Sequence, residues 1–249
     1  MTQDSLDGRT AVITGASAGI GRATAHALAR EGADVVLAAR REGRLDEIAD
    51  AVSREHGTEA LVVPTDVTDE DAVGALIEAT VDEFGGLDLL VNNAGLARGA
   101  KIEEMSTEQY RTMMAVNCDG MFFATREALP HLRESSGTLV YLGSFAGKFP
   151  RPSNPVYAAS KFWTRGFAKS VSAQVGDDDV AVTVVNPSEV RTEFGGVYGE
   201  TFAERFDEGE VSEPEEIAEA IVFAAEQSPS MASEIDLYRR DKFELFGTM

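Results

Sequence analysis

Short runs rich in Val, Leu and Ile recur between longer amphipathic stretches along the 249-residue chain, and this alternation limits its fold more than any other feature. Residues 10–14, 34–38, 60–63, 87–91, 138–142 and 180–185 carry few charges, as suits strands covered on both faces. Helices are predicted near 19–31, 41–56, 69–84, 107–134 and 155–175. Thr68 with Asp71, and Ser106 with Gln109, read as helix N-caps with a reaching third residue. Pro214 suits the first turn of another helix, and 235–238 is a candidate seventh strand. Strand–helix alternation of this kind implies an α/β architecture, a doubly wound and mostly parallel sheet with helices on both faces. Ligands of such sheets bind outside the carboxyl ends of the strands.

Length without repeats or long linkers argues for one domain spanning 1–249. No stretch approaches the roughly 20 apolar residues of a membrane span. The first eight residues are polar and acidic, unlike a secretory or basic transit peptide, so a cytoplasmic chain is expected. Cys118 is the only cysteine and reads as a small buried hydrophobe. His26, His56 and His131 are far apart in sequence and lack zinc-ligand spacing, so no metal is expected. The 43 acidic against 22 basic residues give a net charge of −21, which disfavours nucleic acid and anionic lipid as partners. A cytoplasm of very high salt would screen that self-repulsion, the Debye length falling to about 3 Å at 1 M. The composition therefore reads as halophilic.

Gly15, Gly19 and Gly21, within T-G-A-S-A-G-I-G at 14–21, lie between the first strand and the first helix. Glycines there let backbone approach a pyrophosphate, with the helix N-terminal amides facing the anion, and Ser17 and Ile20 belong to the same turn. After the second strand, a site for NAD usually has a carboxylate that grips the ribose 2′-hydroxyl. This chain has Arg40 and Arg41 instead, whose guanidinium groups suit a 2′-phosphate. NADP is therefore the expected cofactor, with Arg40 favoured and Arg41 second. Asp66 and Val67 follow the third strand, where Asp66 can meet the adenine amino group or simply shape the turn. Asn93, Ala94 and Gly95 follow the fourth, small enough for a cofactor to lie against the backbone.

Tyr157 and Lys161, four apart in Y-A-A-S-K, share one helical face. A phenol with pKa ~10 needs a shift of roughly 2–3 units to exchange protons near neutrality, about 3–4 kcal/mol. An ammonium ~4 Å away supplies on the order of 4 kcal/mol at an effective dielectric near 20. Adding Asn117, Ser144 in G-S-F-A-G and N-P-S-E-V-R-T at 186–192, the chain from about 9 to 192 resembles the short-chain dehydrogenase/reductase family, its compact single-domain branch.

The resemblance implies a Rossmann-type seven-stranded fold and an oxidoreductase that interconverts an alcohol with an aldehyde or ketone. Tyr157 would be the general acid/base. Lys161 would hold the nicotinamide ribose and depress the phenol's pKa. Ser144 would polarise the substrate oxygen, and Asn117 would position a water leading to Lys161. Pro187, Val190 and Thr192 would meet the nicotinamide end. The family usually has Gly after that proline; Ser188 stands here, a cost if the position needs positive φ or close contact with the nicotinamide, and weaker cofactor binding or a shifted loop is expected. The other reading is a non-enzymatic dinucleotide sensor, disfavoured because it would not need the Asn117, Ser144, Tyr157 and Lys161 set. Residues 193–211 are expected to form a substrate lid, with Phe145, Phe149 and Trp163 as candidate pocket or core residues. Arg98 and Lys148 are candidate contacts to an anionic substrate, though better read as solvated surface. The apolar 242–246 end is expected to pack on its own subunit or seal a homodimer or homotetramer.

Overall fold

Alternate side chains of each central strand enter two separate cores, as the period-2 geometry of a strand requires. In the computed structural model, which describes residues 5–98, 101–195 and 200–243, Ala11 and Ile13 face one core and Val12 the other. Val35 and Leu37 likewise oppose Val36 and Ala38, and Leu139 and Tyr141 oppose Val140 and Leu142. The strands are β1 Thr10–Thr14, β2 Asp34–Ala39, β3 Ala60–Pro64, β4 Leu89–Asn92, β5 Thr138–Leu142, β6 Ala181–Pro187 and β7 Glu234–Leu237. They pair in the order β3-β2-β1-β4-β5-β6-β7. Every pairing is parallel.

Three helices cover the first face: α1 Gly19–Arg30, α2 Glu42–His56 and α8 Pro214–Glu226. Alanines 23, 25, 27 and 29 of α1 are buried in that core, letting the helix lie close to the sheet. The second face carries α3 Glu70–Phe84, α5 Gly120–Ser135 and α6 Pro155–Gln174, while α4 Thr107–Met114 packs in a smaller third cluster with the start of α6; a short α7, Phe202–Arg205, lies between β6 and α8. Each fully buried Leu, Ile or Val contributes about 1.5–3 kcal/mol of hydrophobic stabilisation. No helix among the described residues is long and apolar enough to cross a membrane.

The helix predicted over 107–134 is interrupted. A π-turn at Ala115–Asp119 separates α4 from α5 and carries Asn117 fully buried. Ser106 and Gln109 form the reciprocal capping box at the start of α4. Thr68 does not cap α3. Asp69 does, accepting from the amides of Asp71 and Ala72, while the Thr68 hydroxyl donates to Asp66 at 2.8 Å. A carboxylate one position nearer the helix is the better acceptor for its positive end. Pro214 takes the first turn of α8.

Order reverses between β1 and β4, each followed by a strand on its own side, so the crevice opens where their carboxyl ends separate. Asn93 ties the two ends together: its Nδ2 donates to Thr14 O at 2.7 Å and Gly15 O at 3.2 Å. The Thr14 hydroxyl in turn accepts from the amides of Asn93 and Ala94, both at 3.0 Å.

Candidate active site

A cleft of about 870 Å3 lies over these strand ends. Gly15, at φ +68°, turns the chain out of β1; an added Cβ would meet Asn93 Nδ2 at 2.9 Å and Ala94 Cα at 3.0 Å. Gly21 does not line the cleft but is needed for close packing, since a Cβ there would meet Gly15 O at 2.4 Å. The N-terminus of α1 opens at this turn with no side-chain cap at Ala18 and no acidic residue in its first turn. Free amides and a positive helix end suit the pyrophosphate of a dinucleotide, so the residues present fit that group.

Gly15, Ser17, Gly19 and Ile20 line this end of the cleft, with Arg40, Arg41, Asp66 and Val67 along the rim beside β2 and β3. Arg41 donates to Ser17 Oγ at 3.0 Å and pairs with Glu193 at 3.1 Å. Hydrogen bonds from the Thr68 amide and hydroxyl, helped by the exposed Arg40, hold the Asp66 carboxyl below its usual range. The turn-shaping role of Asp66 is therefore real, and the residue still faces the cleft. Asn93, Ala94 and Gly95 form the floor, and Pro187, Val190 and Thr192 the far wall.

Ser188 carries no strain, because Ser136 and Asp179 are the only non-glycine residues at positive φ among those described. Its amide donates to Leu237 O at 2.9 Å, and its hydroxyl accepts from the Arg239 amide at 3.1 Å. The backbone cost expected from a positive φ is therefore absent, while Ser188 itself lines the cleft.

Ser144, Tyr157 and Lys161 converge in the same cleft. Asn154 caps α6 by accepting from the Tyr157 amide at 3.0 Å, with Pro155 in the first turn. That cap sets the phenol at the mouth of the helix and Lys161 one turn deeper. Both side chains are only 5 % exposed. Lys161 Nζ donates to Leu142 O at 2.7 Å. Asn117 has its amide committed: Oδ1 accepts from the Leu96 amide, and Nδ2 donates to Leu96 O and Ser160 Oγ, all at 2.9–3.0 Å.

The electrostatics differ from the simple pairing of phenol and ammonium. Burial pushes the Tyr157 phenol up, against opposing effects from the Ser144 hydrogen bond and from Arg151. Burial pushes Lys161 down to about 8. Burial disfavours the charged form of each group, so desolvation opposes the expected depression of the phenol by its helical neighbour. Arg151 stands 5.0 Å from the centre of the Tyr157 ring and also lines the cleft. No motif marked it. Its only sequence signal was a cation between two prolines in an acidic chain.

The described part of 193–211 borders the cleft through Glu193, Phe194, Phe202, Arg205 and Phe206; residues 196–199 lie outside the described residues. The Phe194 ring lies 5.8 Å from that of Tyr157. Phe145 faces the cleft and stacks on Phe149 at 4.4 Å. Trp163 stacks instead on Phe167, against the second core. Phe243 packs against Phe145 and Tyr238 of its own chain, whereas Leu245 and Phe246 lie outside the described residues. Lys148 is neither solvated nor free for substrate, being held by Glu234 at 2.8 Å and Asp236 at 2.7 Å. Arg98 is partly buried, and its Nε has no hydrogen-bond partner. Cys118 is buried and its thiol is raised to about 11, fitting the packing role. The histidines are not all apart: the His26 and His56 rings meet at 5.7 Å.

Comparison with known proteins places this geometry in a family. The short chain dehydrogenase pattern matches residues 9–201. An uncharacterized oxidoreductase of Staphylococcus epidermidis is 37% identical over 220 residues, covering 88% of this chain and 91% of that protein. The structure of an alcohol dehydrogenase from Thermococcus sibiricus, complexed with 5-hydroxy-NADP, is similar at TM-score 0.85 and 30% identity over 92% of this chain and 95% of that one. A 3-ketoacyl-(acyl-carrier-protein) reductase from Brucella melitensis, complexed with NADH, is similar at TM-score 0.84 and 28% identity over 94% and 98%. The chain belongs to the short-chain dehydrogenase family of oxidoreductases.

Proposed function

We propose that the protein is an NADP(H)-dependent oxidoreductase that interconverts an alcohol and an aldehyde or ketone, with Tyr157 as general acid/base. The observation that carries this reading is the meeting of Ser144, Tyr157 and Lys161 in one cleft with the glycine turn of α1 and with Arg40 and Arg41. The solved relatives hold an NADP analogue in one case and NADH in the other. The case for NADP in this chain therefore rests on the two arginines and the absence of a carboxylate after β2.

When bound, the nicotinamide group supplies or accepts hydride at carbon. The chain's own residues handle oxygen. Tyr157 Oη gives its proton to a carbonyl oxygen in reduction and takes it from the hydroxyl in oxidation. Ser144 Oγ donates a hydrogen bond to the same oxygen, which favours the charge that develops there. Lys161 Nζ, which donates to Leu142 O, would hold the ribose hydroxyls of the bound nicotinamide cofactor. Asn117 is a positioning residue that braces the turn at Leu96 and, through Ser160, α6. The described residues 193–195 and 200–211, several of which line the cleft, would close over the substrate and keep water from the reacting centre. The enzyme works as a homo-oligomer, a role that suits the exposed Phe122 and Phe162 on α5 and α6.

The test is a panel of carbonyl substrates followed by NADPH absorbance in high salt, with wild type and Tyr157→Phe. NADPH consumption that falls by about 10²–10⁴-fold in the variant supports the assignment. Equal turnover by both would mean that the proton comes from elsewhere. Tighter binding of NAD+ than of NADP+ would reverse the cofactor choice.

A further inference from the structure

His26 lies in the third turn of α1, and Glu55 and His56 end α2. Side by side on the first face of the sheet, these helices bring one ligand-capable atom from each of the three residues within 4.8 Å of the others. His26 Nδ1 is 3.6 Å from Glu55 Oε2. Arg54 pairs with Oε1 of that carboxylate and leaves Oε2 toward the imidazole. The His56 Nε2 atom is enclosed and has no hydrogen-bond partner. A buried imidazole nitrogen left without a partner is costly, and such an atom in a native protein calls for an explanation.

We propose that His26, Glu55 and His56 form a divalent transition-metal site that staples α1 to α2, with zinc or a metal of similar preference as the occupant. Two imidazoles and one carboxylate match zinc, cobalt or nickel better than magnesium or calcium, which take oxygen ligands. Ligands at about 2.0–2.1 Å in a tetrahedron stand roughly 3.3 Å apart. The His26–Glu55 separation already approaches that value, and a spacing of 4.8 Å closes with a ligand movement of about 1.5 Å. Water completes the coordination on the exposed Glu55 side. None of the three residues lines the catalytic cleft, so the site is separate from the chemistry. Its effect is on the joint between the helix that begins at the glycine turn and the helix that begins beside Arg41.

The experiment uses the whole chain, stripped with a chelator and titrated with cobalt and zinc salts in concentrated potassium acetate. Expected are one equivalent bound, visible absorption from bound cobalt, and a rise of roughly 5–10 °C in melting temperature with zinc about 100-fold above its dissociation constant. His26→Gln and His56→Gln are each expected to weaken binding at least about tenfold, the loss typical of a disturbed ligand set. His131→Gln, remote from the cluster, should keep it. Circular dichroism of each apo variant reports folding independently of metal. Equal binding by wild type and the His26 and His56 variants would overturn the proposal in favour of diffuse attraction to an acidic surface. So would an equal melting rise with magnesium, or no saturable binding at about millimolar zinc.

Discussion

Arg41 and Glu193 meet at 3.1 Å across the mouth of the cleft, and Arg44 holds the other oxygen of the same carboxylate at 2.7 Å. The two guanidinium groups hold the Glu193 carboxyl below its ordinary range. A carboxylate thus occupies the cationic rim where a 2′-phosphate is expected to bind. It reaches there from the segment after β6 that borders the substrate end.

Glu193→Gln should therefore tighten NADP+ binding and leave NAD+ unchanged. Exposed pairs are worth about 0.2–1 kcal/mol each and two are released, so the gain is roughly 2–30-fold. Cofactor titration by fluorescence, with both dinucleotides, reads it directly. Weaker NADP+ binding in the variant would mean that the carboxylate orders the arginines instead of competing with the phosphate.

Arg151 is the cation that acts against the burial of Tyr157. A nearby positive charge favours the phenolate, so its removal raises the phenol further. Arg151→Ala is expected to move the rising limb of alcohol oxidation, where the phenolate becomes available as the base, to higher pH. The pH profiles of kcat/KM for the two proteins give the answer. Superimposed limbs would assign Arg151 to packing over the ring alone.

Burial of Lys161, lowered to about 8, makes a prediction about stability. An unfolded lysine titrates near 10.4, so between about pH 8 and 10 the unfolded chain binds a proton that the folded chain has released. Stability at this residue therefore rises with pH through that window. Relative to Lys161→Met, the cofactor-free wild type should gain about 3 kcal/mol on going from pH 7 to beyond pH 10, the size of the shift. Urea unfolding of both proteins across this range isolates the lysine, since other groups cancel in the comparison. A constant difference would mean that the ammonium stays hydrated.

Net charge of −21 predicts a fold that loosens in dilute buffer. Lowering KCl from about 3 M to about 0.1 M lengthens the Debye screening distance to roughly 10 Å and should lower the melting temperature. Equal melting at both concentrations would refute the halophilic reading.

The strands and most helices were legible in the sequence because burial on both sheet faces leaves a local trace, a run of apolar residues with period 2 inside it. The cap at Ser106 and the start at Pro214 were legible for the same reason, being contacts within one turn. Spacing put Tyr157 and Lys161 on one helical face and Gly15 to Gly21 in one turn, while the place of Ser144 beside them came from the family resemblance. Other features belong to the tertiary structure. The π-turn at Asn117 answers to Leu96 and Ser160 from other segments. Asp69 outcompetes Thr68 through backbone geometry that composition does not encode. Arg151 over Tyr157 and His26 beside His56 depend on which surfaces pack together. Burial acts on Tyr157 and Lys161 beyond their pairwise interaction, because desolvation depends on everything that surrounds a group, and only the folded chain determines how much water is excluded.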